Sequence, residues 1–378
     1  MTTATAMPQQ TTMPTVLLMA GGTGGHIFPA QALAQQLKAR GWQIHWLGTA
    51  DRMEARLVPE FGWPFHSIAV QGLRGKGWLK QLLAPWMLLQ SVWQARAVVR
   101  HLRPDLVVGF GGYASGPGGV AAWLQRIPLV IHEQNAVAGT TNRWLARLAK
   151  QVFVAFPQAF AGHAKRTLVG NPVRQEVIAV GQPEQINEHP ELRILVIGGS
   201  LGAKVFNQQL PAQLAALAEN GTVAVRHQTG SAMAATVQQQ YQQLHQQQPN
   251  EQAMQFEVTA FIDDMAAAYQ WADLVICRAG ALTVSEVACA GVAAIFVPLP
   301  QAIDDHQTAN ANWLVEQNAA LLLKQIDLEQ GQLTPLVRPW LQDKTSLQQL
   351  AQKARRCAMD DAATQLAQRC EQQLGRAV

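Results

Sequence analysis

The chain has 378 residues, of which 48% are hydrophobic, and a formal net charge of +4 at pH 7. This length predicts two domains, each with a core of ordinary size. Because only 14% of the residues are charged, the basic excess is too small to indicate nucleic acid and fits a modest attraction to anionic lipid or phosphate. The four cysteines have neither CxxC nor metal-ligand spacing, which predicts reduced thiols of a cytosolic protein and no metal site.

Two segments bear on targeting. Residues 1–14 have neither the basic region nor the apolar region of a signal peptide and are predicted to form a disordered tail. The stretch Leu106–Leu124 carries no charge and is long enough to span a bilayer. Its six glycines instead predict a strand, a loop and a helix.

Short β-branched runs alternate with helical patterns such as Ala30–Arg40, which predicts parallel βαβ units. The strands predicted in the first half are Val16–Ala20, Gln43–Leu47, Asp105–Phe110, Leu129–His132 and Gln151–Ala155. Those predicted in the second half are Arg193–Ile197, Val223–His227, Phe256–Thr259, Asp273–Cys277, Ala294–Val297 and Ala320–Leu323.

An internal repeat indicates how the halves are related. The string "VLLMAGGTGG" from Val16 returns as "ILVIGGSLGA" from Ile194, so that one strand, one glycine-rich turn and one helix open each half. Two doubly wound domains are therefore predicted, joined through the Pro- and Gly-containing region 170–191. Such sheets bind ligands beyond the carboxyl ends of their strands, so a facing pair would enclose a cleft.

The repeated glycine loops match no nucleotide fingerprint. Both miss GxGxxG, and neither continues into the Gly-Lys-Ser/Thr of a P-loop, so an NAD-dependent oxidoreductase is not expected. One interpretation is a tight turn between strand and helix. The other is contact of the helix N-terminus with phosphate or sugar, and it is favoured because Thr23 and Ser200 occupy matching positions.

A third loop, "GFGGYASGPGG" from Gly109, also follows a predicted strand. Glycine at this density costs conformational entropy, so close approach of an anionic group such as a diphosphate is favoured over a purely structural turn. His26 directly follows the first loop, where it can be a helix-start hydrogen bonder or a general base.

Polar groups follow three more predicted strands, at the edge where α/β folds concentrate function. "VIHEQN" ends in Glu133, Gln134 and Asn135, either a solvated capping turn or part of a site. "CRAGALTVSE" reaches Glu286, read either as a first-turn acid that complements the helix dipole or as a carboxylate for a ribose. "DDHQTANA" offers Gln307 to sugar hydroxyls, or is an ordinary helix start.

The region from Gln71 to Arg103 mixes tryptophan and leucine with basic residues. Its uncharged stretch is too short to span a membrane, which leaves a core-facing helix or one that lies on a bilayer surface. The apolar residues of the candidate membrane patch are Trp78, Leu79, Leu82 and Trp86.

These motifs together resemble the MurG family of UDP-N-acetylglucosamine:undecaprenyl-pyrophosphoryl-MurNAc-pentapeptide N-acetylglucosaminyltransferases. The strings that carry the resemblance are "GGTGGHIFPA", "LGTADRMEARLVP", "GLRGKG", "GFGGYASGPGG", "HEQNAVAGTTN", "VGNPVR", "GGSLGA", "FIDDMAAAYQWADLVICRAGALTVSE" and "DDHQTANA". The resemblance implies an α/β protein of the GT-B type, with two Rossmann-like doubly wound domains facing a cleft. Residues 15–172 would form the acceptor and membrane-docking domain, with the C-terminal helix, about 360–378, packed back on it, and residues 173–359 the UDP-GlcNAc domain.

The family's site residues carry over onto matching positions. The implied donor contacts are Thr23, Gly24, Gly25 and Asn135 for the sugar, Arg174 and Ser200 for the phosphates, the backbone of Ile262 for uracil, Ala281, Leu282, Thr283, Val284 and Ser285 along the phosphate and ribose path, Glu286 for ribose, and Gln307 for GlcNAc hydroxyls. The implied contacts to the acceptor's diphosphate are Gly111, Gly112, Tyr113, Ser115 and Gly116. The general base would be His26, with Glu133 as the alternative.

The implied reaction is inverting transfer of GlcNAc from UDP-GlcNAc to the C4 hydroxyl of MurNAc in lipid I, without a cofactor or a required divalent cation. The implied partners are UDP-GlcNAc, undecaprenyl-pyrophosphoryl-MurNAc-pentapeptide, anionic membrane lipid and other cell-wall synthesis or division proteins, and not nucleic acid. The implied location is peripheral, on the cytoplasmic face of the inner membrane.

Overall fold

The computed structural model describes residues 13–70, 84–180, 189–199, 202–248 and 250–374. The chain divides into two compact units. The first runs to His132 and adds Thr140–Val152 and the segment from Leu366, and the second contains Glu133–Gly139 and Phe153–Gln365. The second unit thus begins before the predicted boundary at residue 172, because Phe156 is buried in its core. The predicted N-terminal tail lies outside the described residues except for its last two.

The first sheet has seven strands in the order β3-β2-β1-β4-β5-β6-β7. Their bounds are β1 Thr15–Met19, β2 Gln43–Gly48, β3 Phe65–Ser67, β4 Leu106–Gly109, β5 Leu129–Glu133, β6 Gln151–Val154 and β7 Arg166–Leu168. The pairs β1–β2, β1–β4, β2–β3 and β4–β5 are parallel. The strand order reverses beside β1, so the glycine loop that follows β1 lies at the topological switch point, where doubly wound sheets bind ligands.

The second sheet repeats this arrangement with the order β10-β9-β8-β11-β12-β13. Its strands are β8 Leu192–Ile197, β9 Val223–Gln228, β10 Met254–Thr259, β11 Leu274–Cys277, β12 Ala293–Phe296 and β13 Leu321–Leu322. All five pairs are parallel. The strand β8 and the glycine loop after it occupy the switch point, as β1 does in the first sheet.

Helices connect the strands. The α-helices are α1 Gly24–Ala39, α2 Met53–Glu60, α3 Ala84–Leu102, α4 Ser115–Leu124, α5 Thr140–Leu145, α6 Gln175–Ile178, α7 Lys204–Ala218, α8 Ala234–Gln246, α9 Met265–Trp271, α10 Ala281–Ala290, α11 His306–Val315, α12 Gln325–Glu329, α13 Leu333–Val337, α14 Thr345–Arg356 and α15 Ala362–Gln372. Short 3-10 helices lie at Glu251–Ala253, Ile303–Asp305 and Arg338–Leu341. Of the helices in the described ranges, none has the length and hydropathy needed to cross a bilayer.

The eleven predicted strands are confirmed, with each end within two residues of its predicted position. Leu106–Leu124 forms a strand, a loop and a helix, as predicted. The sequence analysis missed β3 and β7, which have three residues each and contain several polar side chains. The helix predicted from Ala30 begins earlier, at Gly24, so His26 lies in its first turn.

A buried ion pair stabilises the second unit. The Nζ group of Lys344 donates to Asp273 Oδ2 at 2.9 Å and to the carbonyls of His189 and Glu191 at 3.0 and 2.7 Å. The side chains of Lys344 and Asp273 are only 9% and 4% exposed. The pair therefore connects the start of β11 to the segment that leads into β8.

We expect Lys344→Met to lower the free energy of unfolding of the second unit by about 3–5 kcal/mol, because it leaves the Asp273 carboxylate buried without its cation. Urea denaturation followed by circular dichroism measures the loss. Glu257→Gln is the control, since Glu257 pairs with Arg226 at an exposed site and its loss should cost less than about 1 kcal/mol. Equal losses in the two variants would contradict the prediction.

Candidate active site

The first glycine loop joins β1 to α1 and presents His26. Gly22 has φ +90°, a conformation that glycine adopts without strain. The Nδ1 atom of His26 lies 3.1 Å from the carbonyl oxygen of Gly21. The predicted donor-sugar residues Thr23, Gly24 and Gly25 occupy the N-cap and the first two positions of α1. A helix N-terminus with a histidine in its first turn is suited to bind an anion or hydroxyl and to accept a proton.

The loop after β4 packs directly on this first loop. A Cβ atom on Gly112 would lie 2.5 Å from the Gly21 carbonyl oxygen, and one on Gly111 would lie 3.2 Å from His26 Nε2. Both glycines also have positive φ. Contact between the two loops therefore accounts for these glycines without a ligand, and the diphosphate contact inferred from glycine density stays a prediction.

The other predicted diphosphate residues lie at the start of α4. The buried hydroxyl of Ser115 lies 2.6 Å from the Gly111 carbonyl and 2.9 Å from the Met19 carbonyl, so its side chain fastens the loop to β1. Gly116 follows it in the first turn of α4. Tyr113 is exposed, and the guanidinium carbon of Arg52 lies 5.3 Å from its ring centroid. Backbone N–H groups of α4, and not the Ser115 hydroxyl, are the groups suited to a phosphate here.

Glu133, the alternative base, supports a turn in the second unit. One carboxylate oxygen accepts from the backbone and side-chain nitrogens of Asn135 at 3.0 and 3.3 Å, and the other accepts from the Gly139 nitrogen at 3.0 Å. The residue is buried. These bonds commit both oxygens to the turn, which favours His26 as the base.

Asn310, which the sequence analysis did not single out, fixes the position of Asn135. Its side chain is fully buried on α11 and accepts from the Ala136 nitrogen at 2.8 Å. Its amide nitrogen donates to Asn135 Oδ1 and to the Ala279 carbonyl, both at 3.2 Å. Asn310 thereby joins the predicted sugar contact to the segment that precedes α10. The available signal was its place in "DDHQTANA", one helical turn after Gln307.

Glu286 is held by two side chains. Its carboxylate accepts from Arg174 Nη2 at 3.2 Å and from the Tyr269 hydroxyl at 3.1 Å. Burial raises the pKa of Glu286, and the charge of Arg174 opposes that rise. Glu286 is the sixth residue of α10, and the first turn holds no acid, so the helix-dipole interpretation of this residue is wrong. The pairing brings together two predicted donor residues that are far apart in the sequence.

The other predicted donor residues in α10 form its N-terminal turns. Gly280 is the N-cap, and Ala281, Leu282, Thr283, Val284 and Ser285 follow it. The Ser285 hydroxyl donates to the Ala281 carbonyl at 3.1 Å and accepts from the Asn171 side chain at 3.0 Å. These bonds fix the start of the helix, whose N–H groups are suited to a phosphate.

The glycine loop after β8 is held by Gln228, a residue that the sequence analysis missed. Its side chain accepts from the Gly198 nitrogen at 3.1 Å and donates to the Gly199 carbonyl at 2.9 Å. Gly202 has φ +74°, and a Cβ atom there would clash with the Thr229 carbonyl. Ser200, the predicted phosphate contact, lies outside the described residues.

Gln307 and Ile262 are the remaining predicted donor contacts. The side-chain oxygen of Gln307 accepts from the Leu299 nitrogen at 3.0 Å, so in this structure the residue supports the loop after β12. Ile262 is half-buried in the segment between β10 and α9. Both stay predicted donor contacts.

An exposed apolar surface lies on α3 and α4. Of the predicted membrane patch, Trp78, Leu79 and Leu82 lie outside the described residues, whereas Trp86 is 71% exposed. The sequence analysis missed further exposed apolar residues on these helices, among them Leu89 and Trp93 on α3 and Trp123 on α4. Trp86, Leu89 and Trp93 share one helical face, and the side chain of Gln125, the C-cap of α4, donates to the Arg96 carbonyl within α3 at 3.2 Å. We call Trp86, Leu89, Trp93 and Trp123 the aromatic surface.

A comparison with known families finds two domain matches, one for each sheet. The N-terminal domain of glycosyltransferase family 28 matches residues 16–154, and its C-terminal domain matches residues 193–366. The chain belongs to glycosyltransferase family 28. Together the two family 28 domains contain all three glycine loops and every predicted site residue except Arg174, which lies between them.

Relatives within family 28 match nearly the whole chain. A UDP-N-acetylglucosamine--N-acetylmuramyl-(pentapeptide) pyrophosphoryl-undecaprenol N-acetylglucosamine transferase of Aeromonas hydrophila is 54% identical over 358 residues, 94% of this chain and 96% of the relative. A protein of the same name from Shewanella sp. strain ANA-3 is 50% identical over 355 residues, 94% of this chain and 96% of the relative. The crystal structure of Acinetobacter baumannii MurG is 41% identical, with a TM-score of 0.81, and covers 95% of this chain and 99% of that one. The resemblance to the MurG family and the α/β fold of the GT-B type are confirmed.

Proposed function

We propose that this protein transfers GlcNAc from UDP-GlcNAc to the C4 hydroxyl of the MurNAc residue of undecaprenyl-pyrophosphoryl-MurNAc-pentapeptide, which is lipid I. The products are lipid II and UDP, and the reaction serves peptidoglycan synthesis. The observation that carries the proposal is the 54% identity to the Aeromonas hydrophila transferase over 94% of this chain. The glycine loops at both switch points support it, because they are suited to a diphosphate or a sugar.

The donor side of the reaction uses the second unit. Glu286 accepts hydrogen bonds from the ribose hydroxyls. Tyr269 and Arg174 hold its buried carboxylate in place for this contact. Arg174 also supplies the fixed positive charge for the diphosphate, and the N-terminus of α10 adds partial positive charge. Charge that develops on the departing UDP is stabilised by these groups, without a cofactor or a required divalent cation.

The acceptor side uses the first unit. The C4 oxygen of MurNAc forms a bond to C1 of GlcNAc while the bond from C1 to the β-phosphate oxygen breaks. The attacking proton passes to His26, and the electron pair of the broken bond leaves with UDP. Attack opposite the leaving group inverts the configuration at C1, which gives a β-linked product. His26 is the base in this scheme because the bonds of Glu133 are committed to its own turn.

The proposed location is the cytoplasmic face of the inner membrane, with the protein bound peripherally to anionic lipid. The aromatic surface supports this, since Trp and Leu beside basic residues such as Arg96 and Arg100 are suited to the headgroup region. Other proteins of cell-wall synthesis and division are proposed as partners at this site.

We expect the double variant Trp86→Ser/Trp93→Ser to bind vesicles of anionic and zwitterionic lipid at least tenfold more weakly. Removal of about 60 Å² of inserted apolar area costs about 1.5 kcal/mol at about 25 cal/mol per Å². Co-sedimentation measures the change. Ile326→Ser is the control, because Ile326 is also an exposed apolar residue, lies on α12 of the second unit and is not part of the aromatic surface. Equal binding by all three proteins would contradict the membrane assignment.

Turnover with labelled UDP-GlcNAc and a short-chain lipid I analogue tests the function. Release of UDP in step with a β-1,4-linked GlcNAc product is the expected result. A panel of other lipid-linked and glycosidic acceptors is assayed in parallel at fixed donor. UDP-GlcNAc binding with transfer only to a different acceptor would overturn the acceptor assignment, and failure to bind UDP-GlcNAc would overturn the whole proposal.

A further inference from the structure

The motif "LGTADRMEARLVP" carries part of the family resemblance but has no part in the chemistry described above. It covers the end of β2, a short loop and most of α2. Within it Glu54 is 1% exposed. A carboxylate so deeply buried is costly unless hydrogen bonds satisfy it. Its partners therefore indicate what it does.

Three donors surround the Glu54 carboxylate. Oε1 accepts from the Thr49 backbone nitrogen at 3.1 Å and from the Thr49 hydroxyl at 2.7 Å. Oε2 accepts from the backbone nitrogen of Gly22 at 2.9 Å. Gly21 and Gly48 leave room for the side chain, since a Cβ atom on either would overlap it. Glu54 thus binds the glycine loop that presents His26.

A single peptide group connects Glu54 to His26. The N–H of Gly22 and the carbonyl of Gly21 belong to the same peptide bond. Its N–H donates to Glu54 Oε2, and its carbonyl oxygen lies 3.1 Å from His26 Nδ1. Because the amide is planar and its electrons are delocalised, a carboxylate bound to the N–H increases the negative charge on the carbonyl oxygen. The negative charge of Glu54 thereby acts on the imidazole of His26 through the Gly21 carbonyl oxygen.

The carbonyl also selects the tautomer of His26. A carbonyl oxygen can only accept a hydrogen bond, so Nδ1 carries the proton in this contact. The neutral ring then has its lone pair on Nε2, the nitrogen that lies beside Gly111. Nε2 is therefore the atom that receives a proton in base catalysis.

We propose that Glu54 is a positioning residue for the reaction: through the Gly21–Gly22 peptide it holds His26 in the Nδ1–H tautomer and stabilises the imidazolium that forms when Nε2 takes the acceptor's proton. The arrangement is a carboxylate–histidine pair with one peptide group inserted between the partners. It rests on the proposed role of His26 as the base.

Other charged and polar groups lie in α2, in the segment before it and on β5. Asp51, Arg52 and Arg56 lie beside Glu54 in and before α2, and Arg52 lies over the ring of Tyr113. On β5, the ring of His132 lies 5.4 Å from that of Phe110 at a tilt of 37°, and the His132 carbonyl accepts from Asn142 at 3.1 Å. Substitution of Glu54 must be compared with a change that keeps all of these charges.

The kcat–pH profile of Glu54→Gln, with Thr49→Val as the matched control, tests the proposal. Loss of the carboxylate charge makes the imidazolium less stable, so protonation that inactivates the base requires a lower pH. We expect the acid limb of Glu54→Gln to move to lower pH and kcat to fall at least tenfold, with donor KM within about twofold. Thr49→Val removes one hydrogen bond from the same carboxylate but keeps its charge, so it should lower the melting temperature and leave the acid limb in place.

A double-mutant cycle with His26→Ala separates this role from a purely structural one. If Glu54 acts through His26, Glu54→Gln costs almost nothing in kcat once His26 is absent. Multiplicative losses would overturn the proposal and leave His26 as the base. Wild-type turnover in His26→Ala would instead overturn the proposed base itself.

Nitrogen NMR of the ¹⁵N-histidine-labelled wild-type protein tests the tautomer without any variant at Glu54. The expected spectrum of neutral His26 shows a protonated Nδ1 and an unprotonated Nε2. A protonated Nε2 would overturn the proposal, even if Glu54→Gln fails to fold.

Discussion

His26→Ala should lower kcat by about 10²–10⁴-fold, the usual contribution of a positioned general base. The C4 hydroxyl of the acceptor is a weak nucleophile, and without the imidazole its proton must pass to water. The donor KM should stay within about twofold, because the proposed contacts to the ribose and the phosphates, Glu286, Arg174 and the start of α10, belong to the second unit. Initial rates at saturating acceptor, with donor varied, separate the two parameters.

His163→Ala is the control for His26→Ala. His163 lies in the second unit, where its Nδ1 accepts from the Lys165 nitrogen, and it belongs to no predicted site. We expect wild-type turnover from this variant. Normal turnover in His26→Ala would remove His26 from the base role, and Glu133→Gln would then be the next variant to assay.

The fold could be predicted because parallel strands buried on both faces are continuous apolar runs in the sequence. The strands β1 and β4, which are almost wholly buried, show this pattern and were located to within a residue or so. The missed strands β3 and β7 lie at the two ends of the first sheet and are half-buried or exposed. An edge strand needs neither two apolar faces nor length, so its sequence resembles that of a loop.

The site could be predicted only in part. The glycine loops and the polar residues at strand ends were found because strand, turn and helix follow one another locally in the sequence. Residues that act through distant contacts were missed: Asn310 meets Asn135 across 175 positions, and Glu54 meets Gly22 across 32. Which buried polar groups pair is decided by tertiary packing, and no spacing in one sequence records it.

The contacts seen in the structure change the interpretation of two residues that the sequence analysis did identify. Gly112 was expected to make room for a ligand; it also makes room for the Gly21 backbone, so the glycine by itself does not indicate a ligand. Glu286 was placed in a first helical turn, and it lies in the second, between Arg174 and Tyr269. A motif thus locates a functional segment, while the contacts of each side chain decide its role.

The proposed contact between Glu286 and the ribose predicts a large effect of Glu286→Gln on donor binding. We expect the donor KM to rise about 10- to 150-fold, because a hydrogen bond to a charged group contributes about 1.5–3 kcal/mol, while kcat falls much less. The amide keeps the size of the side chain but removes the charge that attracts the ribose hydroxyls. Initial rates with donor varied at saturating acceptor measure both parameters.

A donor that lacks the ribose 2′-hydroxyl provides the matched control for Glu286→Gln. The wild-type enzyme should bind this deoxy donor more weakly than UDP-GlcNAc, and Glu286→Gln should discriminate between the two donors far less. Equal discrimination by both enzymes would mean that Glu286 does not contact the 2′-hydroxyl.

The pH dependence of donor binding follows from the burial of Glu286. Burial raises the pKa of Glu286, so the carboxylate takes up a proton at a higher pH than an exposed glutamate does. In the proposed site only the ionised form accepts hydrogen bonds from both ribose hydroxyls, so donor affinity should be full above this pKa and should be lost as the pH falls through it. UDP titrations at decreasing pH should show this loss in the wild-type protein and not in Glu286→Gln. A loss of the same size in both proteins would assign the acid dependence to another group, such as the diphosphate of the donor.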